Sequence, residues 1–246
     1  MLVELKLMWI QNAYTEYVDR WLWDKWGYAR GWLQRLPEML LWYSAAGAAM
    51  LSEEVGDGFV KKVRSGHPDL LPGKRRGTWD AAVKLATEIC RDQGANPVDW
   101  FTGGCGDIEV AWRGLDDIPY VGPKIASFLM RDLSYLRDYS DGQGGMAVSY
   151  GNNIDRRWFH RLMPEDQALF IPIDVYVHTG AIRHRASPSA AKYDAPTIQS
   201  DPDLHRQVAT EIVGWARKLS FDARDLDVYW YSLGAGDIHA DGTAVA

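Results

Sequence analysis

Apolar residues recur at helical spacing along most of the chain, and clusters of Gly, Pro and polar residues separate the helical segments. From Val3 to about Leu51 this pattern predicts two or three helices. The expected interruptions there are Gly27, Gly31 and Pro37. The segment from Glu38 to Leu51 is apolar nearly all round, which indicates a central buried helix. Its small residues from Ser44 to Ala49 would let neighbouring helices approach closely.

The middle of the chain combines a basic segment with an amphipathic helix. Ser65 to Gly77 is rich in Pro and Gly and is expected to form an exposed loop. Thr78 is the expected cap of a helix that stops before Gly94. The densest positive region of the chain lies before and within this loop and consists of Lys61, Lys62, Arg64, Lys74, Arg75 and Arg76.

Two helices joined by a short turn follow a Gly-rich break. The first runs from Ile108 to Leu115, and the second from Lys124 to Tyr135. Asp138 to about Asn153 is polar and is interpreted as a flexible loop or hairpin, inserted into the helical pattern. Further regular segments are expected at Trp158–Leu162, Ile171–Arg183, Leu204–Leu219 and Leu226–Leu233, with a polar loop containing Pro188, Pro196 and Pro202 before the third of them.

Composition restricts the classes of protein. With 246 residues and 47% hydrophobic content, the chain can bury one large core or two modest ones. No apolar run is long enough to cross a bilayer and no leader pattern precedes the first helix, so a cytoplasmic location is expected. Cys90 and Cys105 are too few for a cluster held by four cysteines, and the six histidines show no metal-ligand spacing. We therefore expect no iron-sulfur cofactor.

The turn between the two middle helices carries the most specific pattern. Its sequence, Ile118-Pro119-Tyr120-Val121-Gly122-Pro123-Lys124-Ile125-Ala126, places Pro at the first helical position, where the missing amide hydrogen is not needed. The free backbone amides and the positive end of the helix dipole would attract a phosphate. A formal net charge of -6 excludes binding of nucleic acid by bulk attraction, so any DNA contact must be local.

This turn, together with Ile171-Pro172-Ile173-Asp174-Val175-Tyr176-Val177-His178, resembles the helix-hairpin-helix DNA glycosylase superfamily. The missing cysteine cluster makes the chain similar to the cluster-free branch, and in particular to 8-oxoguanine DNA glycosylase/AP lyases. Only these two motifs match the family pattern specifically. In this chain Tyr120 replaces the first glycine of the usual hairpin, and the separation of Lys124 from Asp174 is longer than in endonuclease III.

The resemblance implies roles for two residues. Lys124 would attack the sugar C1′ atom as a neutral amine, and Asp174 would be its ionised partner at a helix start. Without the resemblance, Lys124 would be interpreted as a surface lysine and Asp174 as a helix cap. Lysine at position 124 also distinguishes a glycosylase with lyase activity from one that only releases the base.

The resemblance further implies how double-stranded DNA with a damaged base would be bound. The expected backbone contacts are Tyr120, Val121, Gly122, Ile125, His178, Lys74, Arg75 and Arg76. Carbonyls of Asp116, Ile118 and Val121 could hold a Na+ or K+ ion. Trp230 and Tyr231 are candidates for a base pocket, although burial in the core is the favoured interpretation of either one. The basic residues could equally be an ordinary solvated surface.

The fold implied is all-α and two-lobed, with a central helical domain at residues 32–137 that carries the hairpin. Residues 1–31 and 138–246, including an insertion near 138–165, would form the second lobe. We expect a monomer that associates with the nucleoid when bound to DNA. The expected function is excision of an oxidised base, such as 8-oxoguanine, with strand cleavage. The alternatives are a monofunctional glycosylase for another modified base and a non-enzymatic DNA-binding module.

Overall fold

The structure is a computed structural model, and it describes residues 32–46, 53–93, 108–140, 157–226 and 229–230. Helices, turns and short connections account for all of these residues, and none of them lies in a strand. The prediction of an all-α protein is therefore confirmed for this part of the chain. Predictions for residues 1–31, for Cys105, for most of the polar insertion and for Tyr231 concern residues outside it.

Five helices make up the first half of the described chain. They are α1 (Trp32–Ala46), α2 (Glu53–Arg64), α3 (Gly73–Gln93), α4 (Ile108–Asp116) and α5 (Gly122–Ser140), with a 3-10 turn at Pro68–Leu70 between α2 and α3. Helix α1 packs against α2, α3 and α5, and α4 packs against α5. Because side chains of α1 from Leu36 to Ala45 are almost all buried, it is the central helix of this group.

Five further helices belong to the second half of the described chain. They are α6 (Arg157–Arg161), α7 (Pro164–Ala168), α8 (Val175–Arg183), α9 (Ala195–Ser200) and α10 (Pro202–Lys218). Residues 223–226 and 229–230 are also helical. Helix α10 packs against α7 and α9, and both α9 and α10 also contact α5. The second helix of the hairpin therefore touches both halves of the chain.

Buried apolar side chains form two clusters. The first is built by α1 to α5 and is completed by Phe159, Leu169 and Phe170. The second is built by α8 and α10 with the segments around them, from Ala168 to Trp230. Since residues 168–170 contribute to both, the two clusters adjoin where the chain passes from α7 towards α8.

The basic segment differs from its prediction. Helix α3 begins at Gly73, so Lys74, Arg75 and Arg76 lie in its first turns and not in a loop. Thr78 is inside this helix and does not cap it, because its hydroxyl donates to carbonyls of Lys74 and of Pro119. The prediction was wrong because Pro is common both in loops and at the start of a helix, and the two glycines in this segment are tolerated inside the helix.

Four other boundaries differ as well. The segment predicted to begin at Ile171 is helical only from Val175, because residues 171–174 lead into the cap at Asp174. Helix α1 contains Pro37, which the sequence marked as an interruption. Helix α5 continues to Ser140, past the predicted end at Tyr135. The loop predicted between Arg183 and Leu204 contains α9, with Pro196 in its first turn and Asp194 as its cap. The predicted stop before Gly94 and the segments near residues 108–115, 158–162 and 204–219 are confirmed within two residues at each end.

None of the helices in the described ranges is both long enough and apolar enough to span a bilayer.

Candidate functional site

The hairpin turn between α4 and α5 contains two residues with a left-handed backbone. Gly122 has φ 68° and Tyr120 has φ 66°. The amides of Ile118 and Val121 donate to the carbonyls of Leu115 and Ile118, at 3.1 and 3.0 Å, which closes the turn tightly. Glycine adopts this conformation freely, whereas a residue with a Cβ atom is destabilised there by roughly 1 kcal/mol. Tyr120 therefore holds a strained position, and its side chain is 55% exposed.

The start of α3 supports the hairpin from the side. The buried Thr78 hydroxyl donates to the carbonyl of Pro119 at 2.8 Å. The Lys74 amine lies 5.4 Å from the centre of the Tyr120 ring, within range of a cation-π interaction. The next residue, Arg75, has a pKa lowered by burial, and Tyr120 counteracts this shift. Two of the three basic residues expected to contact DNA are thus next to the hairpin tip.

Lys124 lies in the first turn of α5, immediately after the buried Pro123. The side chain is half-buried. Burial lowers the pKa of the Lys124 amine, and the charge of Asp174 raises it, by a smaller amount. The amine is therefore more easily deprotonated than that of an ordinary surface lysine.

Asp174 caps α8, as the sequence predicted. One of its carboxylate oxygens, Oδ1, accepts hydrogen bonds from the amides of Tyr176 (2.8 Å) and Val177 (2.7 Å). The second oxygen, Oδ2, carries neither of these bonds. Since the residue is only 7% exposed, the cap is built in the interior of the protein and not on its surface.

The fold places Lys124 and Asp174 close enough that the charge of each shifts the pKa of the other. Residues 171–174 are non-helical and lead into α8. Helices α9 and α10 follow α8 in sequence and pack against α5. The long separation in sequence therefore does not separate the two side chains in space.

Burial disfavours the charged form of both groups, so it lowers the pKa of Lys124 and raises that of Asp174. It raises the pKa of Asp174 as its largest effect, while the Val177 amide, Lys124, the Tyr176 amide and Arg131 each lower it. Two of these opposing groups are amides and one is a guanidinium, and all three remain when the Lys124 amine loses its proton. They favour the ionised form of Asp174 whether or not the amine is charged, although burial outweighs them and the pKa of Asp174 is raised overall. Nucleophilic attack requires a neutral amine, which burial of Lys124 favours.

Arg131 is a member of this site that sequence reasoning missed. It lies seven residues after Lys124, so the two side chains share one face of α5. Its guanidinium carbon is 4.6 Å from the centre of the Phe128 ring, and its Nε donates to Asp132 at 3.0 Å. Asp132 also accepts from the Tyr43 hydroxyl. In the sequence, only its position two helical turns after Lys124 could have indicated Arg131 as a site residue. That spacing fits an ion pair in the core equally well.

The remaining predicted site residues lie in different environments. Side chains of Val121 and Ile125 are buried in the first core cluster, so only their backbone amides could face a phosphate. The carbonyl of Ile118, expected as a cation ligand, accepts a hydrogen bond from the Val121 amide.

His178 directs Nε2 towards the carbonyls of Ala190 and Tyr193, at 2.9 and 2.8 Å. Because this atom binds a loop of the protein itself, His178 is a poor phosphate ligand.

Trp230 lies in the second core cluster. Its ring stacks on His184 with centroids 5.8 Å apart, and it is 6.1 Å from Trp215. It also lies directly against Gly180 in α8. The ring is therefore core packing, the alternative to a base pocket that the sequence left open.

Comparison with protein-family models, with curated proteins and with solved structures finds no match for this chain. A half-buried amine at a helix start can attack an electrophilic carbon, and a buried carboxylate close enough to shift its pKa can stabilise positive charge on that carbon.

Proposed function

We propose that this protein is a DNA glycosylase with AP lyase activity. The observation that carries the proposal is the interaction of Lys124, whose amine is easily deprotonated, with the capping carboxylate of Asp174. A non-enzymatic DNA-binding module would not need a buried carboxylate near its anion-binding turn, because the carboxylate repels a phosphate.

The reaction would begin on a nucleotide rotated out of the duplex, since C1′ is shielded within the stacked helix. The lone pair of the Lys124 amine forms a bond to C1′, and the bond from C1′ to the base breaks, so that the base leaves with the bonding electrons and is then protonated. Asp174 stabilises the positive character of the sugar. Loss of a proton from nitrogen and cleavage of the bond from C1′ to the ring oxygen, which takes up a proton, give a Schiff base. Removal of a C2′ proton then forms a double bond between C2′ and C3′, the 3′ phosphate leaves with the electrons of its C–O bond, and the strand is cut.

The surface beside the pair supports DNA as the substrate. Lys74 and Arg75 adjoin Tyr120 at the hairpin tip, and the amides at the start of α5 are oriented along its dipole. Arg76 is nearby in sequence, where it pairs with Asp80 at 2.9 Å. A local group of this kind can bind a phosphate backbone even though the whole chain is acidic.

We propose an oxidised base, such as 8-oxoguanine, as the substrate in double-stranded DNA. This choice follows from the resemblance of the two motifs and from Lys124. The enzyme would act as a monomer in the cytoplasm, at the nucleoid.

The proposal is tested with duplexes that each carry one lesion or one abasic site, incubated with the protein and sodium borohydride. Borohydride reduces a Schiff base to a stable amine, so the native chain should form a covalent adduct. Lys124→Gln should form none. Lys74→Ala is the matched control, because it removes a nearby lysine at the DNA surface, and it should still form the adduct at saturating protein.

Separate assays of base release and strand cutting distinguish the alternatives. Free base without a nick or an adduct would favour a monofunctional glycosylase. Affinity for every duplex with no product from any lesion would favour the binding module. An adduct that persists in Lys124→Gln would contradict the assignment of the nucleophile.

A further inference from the structure

His205 lies in the interior of the protein, on the face of α10 that packs towards the rest of the fold. Its side chain is 1% exposed, and burial lowers its pKa to about 3. The imidazole is therefore neutral throughout the pH range in which a DNA enzyme works. A neutral ring has one nitrogen that accepts a hydrogen bond and one that donates.

The accepting nitrogen holds the residue that precedes Asp174. The Ile173 amide donates to Nε2 of His205 at 3.3 Å, so the ring proton must be on Nδ1. The carbonyl of Ile173 accepts from the Gln199 side-chain amide at 3.0 Å. Both backbone polar groups of Ile173 are thus bound by side chains, one from α10 and one from α9. Because the Ile173 side chain is also fully buried, the peptide that leads into Asp174 is held on all sides.

The same imidazole contacts the hairpin. Its ring centre is 6.1 Å from that of Trp112 in α4, with an angle of 31° between the planes. The Trp112 indole donates to the Ser127 hydroxyl at 2.9 Å. Ser127 is in α5, three residues after Lys124, on the next turn of the helix. A continuous series of buried contacts therefore runs from the helix that carries Lys124 to the peptide that carries Asp174.

We propose that His205 is a positioning residue that fixes Asp174 relative to Lys124, with Gln199 as its partner on the other side of the Ile173 peptide. This inference rests on the proposed function, in which those two residues are the reacting pair. The role of His205 is to keep the distance between the carboxylate and the amine constant when DNA is bound. Displacement of a reacting group by about 1 Å can slow a reaction by about 100-fold.

The test compares three variants of the full chain. His205→Phe keeps an aromatic ring beside Trp112 but removes the hydrogen-bond acceptor. His205→Gln restores an acceptor without the ring. Val208→Ala, in the same helix and fully buried, is the control for lost core packing, since the two hydrogen bonds to Ile173 come from His205 and Gln199 and remain in this variant.

The first measurement is the single-turnover rate of borohydride trapping on abasic duplex, at saturating protein and well below the melting temperature of each variant. We expect a rate about 10- to 100-fold below native for His205→Phe, with unchanged affinity for DNA. We expect partial recovery in His205→Gln and a rate within about twofold of native in Val208→Ala. A native rate in His205→Phe, or equal losses in His205→Phe and Val208→Ala, would overturn the proposal.

The second measurement does not depend on activity. Hydrogen exchange of the Ile173 amide, followed by NMR in the absence of DNA, should be faster in His205→Phe than in native protein and Val208→Ala. If native protein forms no adduct with any duplex, the proposed function fails, and the exchange data still report whether His205 holds the peptide. Native-like protection of Ile173 in His205→Phe would overturn the inference, whatever the trapping result.

Discussion

At the scale of single residues, Asp174 combines two functions that are usually assigned to different side chains. Its Oδ1 atom caps α8 through the Tyr176 and Val177 amides, and its charge acts on Lys124. Capping needs only an oxygen acceptor, whereas stabilising a cationic sugar needs a negative charge. Substitutions can therefore separate the two.

Asp174→Asn should keep the cap and lose the chemistry. Since asparagine is as good a cap as aspartate, the thermal stability of this variant should stay near native, while the trapping rate falls by about 100-fold or more. Asp174→Ala should lose both, with a decrease of about 1 kcal/mol in the free energy of unfolding. Thermal denaturation and trapping assays check the two effects. Near-native trapping by Asp174→Asn would show that Asp174 is only a cap.

The pH dependence of trapping depends on the Lys124 amine. Burial lowers its pKa below 10.5, so the rate should rise with pH and reach half its plateau below that value. Asp174 raises the Lys124 pKa, so its removal should lower that pKa further. The midpoint for Asp174→Asn should therefore lie at lower pH than the native midpoint, even though the plateau rate is smaller. Lys74→Ala is the control and should leave the midpoint unchanged. A midpoint that moves upward in Asp174→Asn would contradict the coupling of the two groups.

At the scale of elements, the hairpin is the part of the site that the sequence predicted best. Its helices and its turn follow from local signals, namely helical periodicity and Pro123. The start of α8 after Asp174 was implied by the resemblance, whereas the local pattern placed the start of this segment at Ile171. The start of α3 could not be predicted in this way, because Pro72, Gly73 and Gly77 also fit a loop. Tertiary contacts hold this segment in the helix, among them the hydrogen bond from Thr78 to Pro119 and the packing of α3 on α1.

Tyr120 provides a test of the hairpin as a DNA-binding element. In Tyr120→Gly the backbone strain is relieved, whereas the interaction with Lys74 is lost and the unfolded chain gains freedom. These effects offset one another, so the free energy of unfolding should change by less than about 1 kcal/mol. The affinity for abasic duplex should nevertheless fall, because the exposed ring and the lysine it orients are part of the proposed DNA surface. Fluorescence anisotropy and thermal melts measure the two quantities. Unchanged affinity would remove Tyr120 from that surface.

At the scale of the whole molecule, the site depends on contacts between distant parts of the chain. Arg113 and Arg206 form ion pairs between α4 and α10, with Asp203 at 2.9 Å and with Glu109 at 2.6 Å. The contact of Trp112 with His205 lies in the same interface. The sequence contained each of these residues, but their pairing depends on the tertiary fold. For that reason His205 and Arg131 could not be assigned from the sequence alone.

The packing of Trp230 on α8 allows a stability test of this arrangement. A Cβ atom at Gly180 would lie 2.3 Å from the Trp230 ring, which is far too close. Gly180→Ala should therefore lower the free energy of unfolding by about 1–3 kcal/mol or more. Gly214→Ala is the matched control, because position 214 is also helical and a Cβ atom there meets nothing within 4 Å. It should stabilise the protein by about 0.5–1 kcal/mol. Equal effects of the two substitutions, measured by urea denaturation, would contradict the placement of Trp230.

Locating the covalent bond shows whether Lys124 is the nucleophile. Native protein is trapped on abasic duplex with borohydride and digested, and the modified peptide is sequenced by mass spectrometry. We expect the reduced sugar remnant to be attached to the Lys124 side chain. Attachment to Lys74, to another lysine or to the N-terminal amine would contradict it.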